Sequence, residues 1–386
     1  MDLIQPFLDA KSRRLQELDD LRNMGRKIVG FFCLHTPPEL VEAAGGIPLR
    51  LCQMGDAQSL RYGEGHAHSC VCPLIKSCLG FRETRNPWFA GIDAIIGCSV
   101  CDQMRNMADV WRLRFKVPTF VFFYPRRLDN SGSKQVLQLE FDWLLSELSV
   151  LTGMPVTEAG LRQTIIRYNK IRHYLRILHE MRALPKPIIS GTEWFSIVHA
   201  SFVLDSRKYE QMLRELLQKI QERMPCAAKP IRIMLVGSVL AADDMKIPQI
   251  VEATGRGLVV TDALCTGTRV IIPQIAVEGN LRRNIYEAHQ KKVPCIHARP
   301  NHRLYEYVDE EIRKLAVDGV IFHSLKFCDG WGSEWVRMQR FLSSRNIASL
   351  VIDTDYTVSD TGQVTTRIEA FLEMLRERRD GEVNGV

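Results

Sequence analysis

The stretch KIVGFFCLHTPPELVEAAGGIPLRLC, residues 27–52, opens on one apolar run, KIVGFFC (27–33), and closes on another, IPLRLC (47–52). Between them lies PPELVEAAGG (37–46), with Pro38 where the first turn of a helix tolerates proline and Gly45 where a helix stops. A strand, a short helix and a strand in succession form a crossover unit, which implies a parallel sheet. Working outward, IDAIIGC (92–98) and PTFVFFY (118–124) read as two more strands rich in Val, Ile and Phe. From about residue 135 the period changes to three and four. KQVLQLEFDWLLSELSVLTG, TEAGLRQTIIRYNKIRHYLRILHEMRAL and the region 195–225 read as amphipathic helices. The Arg- and Lys-rich helix 161–182 is expected to carry a solvated face. PCAAKPIR (225–232) reads as a linker, and strands return at IRIMLVG (231–237), GLVVTD (257–262), DGVIFHS (318–324) and ASLVIDT (348–354). The expected fold is α/β, with two parallel-sheet, flavodoxin-like domains at 1–134 and 228–386. A helical segment, 135–227, lies between them.

Composition excludes several classes. The 386 residues are 46% hydrophobic and 25% charged, with a formal net charge of +6, which is ordinary for a globular chain. No basic patch interleaved with aromatics points to nucleic acid. The charged N-terminus MDLIQPFLDAKSRRLQELDD lacks the apolar core of a signal peptide, and no uncharged run is long enough to span a membrane. A cytoplasmic location is expected. There thiols stay reduced, and the odd count of eleven cysteines also argues against a disulfide framework.

The cysteines then need another explanation. HSCVCPLIKSC (68–78) and GCSVCDQM (97–104) crowd five of them together. Cys33 sits at the carboxyl end of one expected strand, and Cys98 and Cys101 follow another. In the second half Cys265 follows GLVVTDA, Cys295 lies in the strand-like KKVPCIH, and Cys328 follows VIFHSLKF. Ligands of open parallel sheets bind beyond the carboxyl ends of the strands. Two such crevices facing each other would gather thiols from both halves. Cys52 and Cys226 read as packing cysteines, whereas Cys70, Cys78 and Cys98 are open. Zinc is a rival, because His66, His68, Cys70 and Cys72 share one loop, but it leaves Cys265, Cys295 and Cys328 unexplained. Thiolates from distant loops suit an iron–sulfur cubane better. Lys76, four residues after Cys72, and Arg269, four after Cys265, are expected to favour thiolate. The glycines of CTG and CDGWG are expected to let amides approach the sulfurs.

Together these motifs resemble the 2-hydroxyacyl-CoA dehydratase family, D-component type, with its benzoyl-CoA reductase and double-cubane relatives. The resemblance rests on residues 25–51, on CPLIKSCLGF (72–81), CDQMRNMADVWR (101–112), DALCTGTR (262–269), PCIHARPNHR (294–303), DGVIFHSLKFCDGW (318–331) and DTDYTVSDTGQVTTRIEAFLEML (353–375). It implies a separate ATP-hydrolysing iron–sulfur activator that delivers single electrons at low potential. It also implies a 4Fe-4S cubane on Cys72, Cys101 and Cys328. By the double-cubane pattern, Cys33, Cys265 and Cys295 would hold a second cubane, bridged to the first by sulfide. The double-cubane branch implies a homodimer acting on a small molecule; the acyl-CoA branch implies a heterodimer with a paralogous subunit. No G-x-x-x-x-G-K-[ST] phosphate loop is present, so no nucleotide is expected on this chain.

Among other residues, Glu39 is a candidate to orient the Cys33 loop or move protons, or simply a first-turn carboxylate. His35, His297 and His302 are candidate proton carriers, and Ser238 a candidate cavity-lining residue. TDYTVSDTGQ (354–363) is expected to form a loop that caps the site or turns the chain. The rival from another class is a non-catalytic iron–sulfur or zinc scaffold.

Overall fold

A computed structural model describes residues 2–127, 129–227 and 229–384; Ala228, in the expected linker, lies outside the described residues. All eight expected strands form. The first sheet holds β1 (Ile28–Phe31), β2 (Ile47–Arg50), β3 (Ala94–Cys98) and β4 (Thr119–Phe122); the second holds β5 (Ile231–Gly237), β6 (Gly257–Asp262), β7 (Gly319–Leu325) and β8 (Ala348–Thr354). The orders are β2-β1-β3-β4 and β6-β5-β7-β8, all parallel. Each sheet therefore reverses its winding between the first and third strands, the flavodoxin-like switch point where a crevice opens. In one sheet that crevice lies beyond β1 and β3, in the other beyond β5 and β7.

The short helix Pro38–Ala43 closes the first crossover, and Gly45 leaves it at φ +79°, as a helix stop requires. The expected helices form at Ser131–Thr152, Glu158–Arg182, Gly191–Ala200 and Ser206–Lys219. The basic helix 158–182 has its solvated face, at Lys170 and His173, but not all of its cations lie on it. Arg172 and Arg182 are buried, one ion-paired with Glu39 and the other 3.9 Å from Asp262. This helix threads between the two halves, so its inner cations meet carboxylates from each. Cys295 departs from expectation: it lies in a loop, because Pro294 has no N–H to give a ladder.

One apolar cluster runs from Phe7, Ile28 and Trp111, through Leu178 and Trp194, to Ile233, Leu235 and Leu372. Both sheets and the helices between them thus share a core. No helix among the described residues is long and apolar enough to cross a membrane.

Candidate metal centre

Cys72, Cys101 and Cys328 occupy the same local position. Each is the N-cap of a helix, preceding Pro73–Glu83, Asp102–Leu113 and Asp329–Ser343 respectively. The first turn of a helix has N–H groups without intrahelical partners, and a side chain at the cap receives them. The Met104 N–H donates to Cys101 Sγ at 3.3 Å. Cys72 and Cys328 make no such cap bond, but the nearby N–H groups of Leu74 and Ile75 favour the Cys72 thiolate, and that of Trp331 the Cys328 thiolate. Three positive helix ends therefore converge on sulfur. Phe327, just before Cys328, takes a left-handed φ of +61°. That turn, costing about 1–3 kcal/mol in a non-glycine residue, brings Cys328 round to its cap.

These three thiols share one cavity, of about 140 Å³, with Cys265 and Cys295 from the second half. Leu74, Ile75, Val100, Met104, Ile296 and Trp331 make its apolar wall; Ser238 and His297 also face it. Gly237 ends β5 at φ +141°, and a Cβ there would sit 1.8 Å from the His323 carbonyl. Glycine thus allows the close passage that delivers Ser238. The Ser238 hydroxyl accepts from the Leu325 N–H at 3.1 Å and favours the Cys328 thiolate by hydrogen bonding.

Burial pushes the thiols of Cys72, Cys295 and Cys328 up, and that of Cys101 up to about 12, with mutual repulsion among neighbouring sulfurs adding to it. Helix ends and Ser238 only partly offset this. Such a group of thiols resists ionising by itself but suits a metal that takes up the charge. The donor set, its burial and its N–H groups therefore fit a thiolate-held iron–sulfur group. Among the described residues no three His, Cys, Asp or Glu side chains gather closely enough for a single metal ion.

Cys33 is absent from the cavity lining. Register pairs Phe31 with Ile96, so Cys33 and Cys98 lie opposite each other just beyond β1 and β3. The Cys98 thiol, together with the His35 N–H, Lys292 and Arg50, outweighs burial and lowers Cys33 to about 6. Its charge is still felt at Cys101 and Cys295.

Other expected residues are placed as follows. Glu39 is fully buried but pairs with Arg172, and His289 Nε2 lies 3.9 Å away. His35 stacks on Tyr124 at 3.6 Å, while His302 is exposed at a helix start. His66 turns to Glu83, at 3.0 Å, and Cys70 is exposed, so the zinc candidates of that loop do not converge. Cys52 and Cys78 are core residues, whereas Cys226 is exposed on the linker, outside the packing layers. Lys76 points to the Ser69 carbonyl at 3.1 Å and to Glu64 at 3.8 Å. Arg269 holds the Pro294 carbonyl at 2.8 Å and favours the thiolate of Cys295. The glycines act differently from expectation. A Cβ at Gly330 would meet the His297 ring at 2.8 Å, and one at Gly267 would meet the Asp262 carboxylate at 2.1 Å. Both make room for side chains rather than for sulfur. TDYTVSDTGQ lines none of the cavity; Asp355 caps its turn through Thr357.

Three residues escape a reading of the sequence. Lys292, buried and lowered to about 7 by desolvation against the pull of Cys33, donates to the Leu34 carbonyl at 2.9 Å. Arg50 donates to the Cys265 carbonyl at 2.8 Å, and its charge inside the apolar run IPLRLC is the visible signal. Gln103 accepts from the Cys72 N–H at 2.6 Å and donates to the Phe327 carbonyl at 3.0 Å and to Asp329 at 3.3 Å. One amide thus ties together the loops of all three capping cysteines. Gln103→Leu keeps the volume and removes the ties. It is expected to weaken iron retention about 10- to 100-fold in chelator competition, with circular dichroism unchanged.

Comparison with known proteins identifies the family. Residues 33–375 match the family model for 2-hydroxyglutaryl-CoA dehydratase, D-component. YjiM of Escherichia coli (strain K12), a dehydratase subunit by name, is 28% identical, over 97% of this chain and 98% of its own. A benzoyl-CoA reductase subunit of Thauera aromatica is 23% identical over 79% of each chain. The beta subunit of (R)-2-hydroxyglutaryl-CoA dehydratase from Acidaminococcus fermentans is 22% identical over 97% of this chain and 99% of its own. With the match covering nearly the whole chain and every cavity cysteine inside it, this protein belongs to the 2-hydroxyglutaryl-CoA dehydratase D-component family.

Proposed function

We propose that Cys72, Cys101 and Cys328 hold one 4Fe-4S cubane and Cys33, Cys265 and Cys295 a second, sulfide-bridged to it. The chain would use them in ATP-coupled, low-potential reduction of a small molecule, charged by a separate ATP-hydrolysing iron–sulfur activator. The observation that carries this reading is the meeting of five of these thiols, from both halves, in one cavity. A bound cluster supplies single electrons at low potential. The protein's part is electrostatic and steric. First-turn N–H groups and the Ser238 hydroxyl balance negative charge, and the apolar wall excludes water. His297, kept neutral by burial and by Arg126 and Arg299, offers a ring nitrogen as proton acceptor. Glu39 acts at a remove, holding the helix 158–182 against the Cys33 loop. The proposal includes a homodimer in the cytoplasm and the domain division 1–134, 135–227 and 228–386.

The absence of Cys33 from the cavity lining favours a second reading. In it only the first cubane is bound, and the chain serves as one subunit of a 2-hydroxyacyl-CoA dehydratase or benzoyl-CoA reductase acting on an acyl-CoA beside a paralogous subunit. Iron and sulfide counts on anaerobically purified protein decide between them. About eight irons per chain support two cubanes and about four support one; zinc without sulfide rejects both. With two cubanes Cys33→Ala should halve the iron, and an unchanged content rejects the second cubane.

A further inference from the structure

The cysteine set has two electrostatically unlike ends. At one end stand Cys33, Cys265 and Cys295, the thiols of the proposed second cubane. Arg50, Arg269 and Lys292 surround them, and these cations are only 2%, 4% and 2% exposed. Arg50 acts on the sulfurs of Cys52, Cys265 and Cys33, Lys292 on those of Cys33, Cys98 and Cys295, and Arg269 on that of Cys295. Each of the three ligand sulfurs at this end thus lies in the field of at least one buried cation.

None of these cations has a carboxylate within ion-pairing distance among the described residues. Their donors go to carbonyls instead: Arg50 to Phe32 and Cys265, Arg269 to Pro294, and Lys292 to Leu34. Arg50 Nη2 and Arg269 Nε have no hydrogen-bond partner. The inner carboxylates of the region are engaged, Glu39 with Arg172 and Asp262 with Arg182. A buried cation without a counter-charge is costly, and the sulfurs are what these elements leave to supply it. Arg50 and Arg269 stay charged at any working pH.

The other end is built differently. Cys72, Cys101 and Cys328 have first-turn N–H groups beside them, and no cation is among the groups that act most on their thiols. Lys76, buried in that neighbourhood, is drawn to Glu64 at 3.8 Å. Asp329 lines the cavity beside Cys328 and adds a negative charge. Reduction of an iron–sulfur group adds one negative charge, which a neighbouring cation stabilises and a neighbouring carboxylate opposes.

We propose that Arg50, Arg269 and Lys292 are potential-setting residues. They hold a group bound by Cys33, Cys265 and Cys295 at a more positive reduction potential than one bound by Cys72, Cys101 and Cys328. The assignment rests on the two-cubane reading above and makes its two members unequal: the cation-ringed end is the first to be reduced.

The test is a potentiometric titration, at fixed pH with redox mediators, of the anaerobically purified full chain with its iron and sulfide. Low-temperature electron paramagnetic resonance reads each step, and two one-electron midpoints are expected. Arg50→Met, uncharged but close in length, should lower the higher midpoint alone. The expected shift is about tenfold in the reduced-to-oxidised ratio, or about 59 mV for one electron. Arg50→Lys keeps the charge and should stay within about threefold of the unaltered protein. Lys292→Met repeats the charge removal at a second position, should Arg50→Met not fold. Asp329→Asn, at the opposite end, should raise the lower midpoint alone. An iron content of about four per chain overturns the two-cubane reading and this assignment together. About eight irons, with midpoints that Arg50→Met and Lys292→Met leave unmoved, overturns the assignment alone. So does an Arg50→Lys chain shifted as far as Arg50→Met, since the effect would then lie in the shape of the guanidinium and not in its charge.

Discussion

A Cys328→Ala chain, reconstituted with iron and sulfide under argon, is expected to hold iron at least about tenfold more weakly than the unaltered protein. That factor is a floor. Disturbing a group that only orients a ligand costs about 10- to 100-fold in metal affinity, and here a ligand itself is removed. Cys265 and Cys295 line the same cavity, but neither is the N-cap of a helix as Cys328 is. Cys328 stands at the N-cap of its helix after a left-handed turn, its thiolate is favoured by the Trp331 N–H and by Ser238, and it shares the cavity with Cys72 and Cys101. Cys72→Ala and Cys101→Ala should behave alike. Cys70→Ala, altering an exposed thiol outside the cavity, should retain its iron. Iron-to-protein ratios after gel filtration, read beside the iron–sulfur absorbance in the visible, check the set. Equal iron in Cys70→Ala and Cys328→Ala would remove the cavity from consideration as a metal site.

Glu39→Ala is expected to cost about 3–5 kcal/mol of stability, the usual consequence of stranding one partner of a buried ion pair. Both side chains are inaccessible, at 0% for Glu39 and 6% for Arg172. Without the carboxylate, Arg172 keeps, among the described residues, only Asn169 Oδ1, at 3.4 Å, as a side-chain acceptor. Glu39→Gln retains shape and one hydrogen bond and should lose less. Urea denaturation midpoints with unchanged m-values give the comparison. A loss below about 1 kcal/mol in Glu39→Ala, the scale of an exposed pair, would mean that the pair is not what fastens the helix 158–182 to the Cys33 loop.

What the sequence discloses and what it hides follow physical lines. Six strands are almost wholly buried and read as continuous apolar runs; the half-buried edge strands β4 and β8 keep enough apolar residues to be legible as well, and the strand-end rule locates Cys101, Cys265 and Cys328. Cys295 falls in the right region but in the wrong structure, because an apolar run around Pro294 imitates a strand. Pairings between distant segments stay hidden. Nothing local to Glu39 announces Arg172, 133 positions away. Nor does CDQM announce that Gln103 reaches to Phe327, 224 positions on. The basic helix misleads for the same reason: its inner arginines look solvated until the carboxylates folded against them are known. Lys292 and Arg50 are hidden in part. A cation inside an apolar run is visible, but which sulfur it faces is not.

The apolar cluster that passes unbroken from Ile28 through Trp194 to Leu235 carries a consequence for maturation. A zinc finger has no core of its own, and metal and fold arrive together. Here the scaffold closes on hydrocarbon alone, so the spacing of the sulfurs is set before any inorganic guest is inserted. The chain without metal is then a finished mould, and insertion of the proposed cluster is expected to be a filling step rather than a folding step.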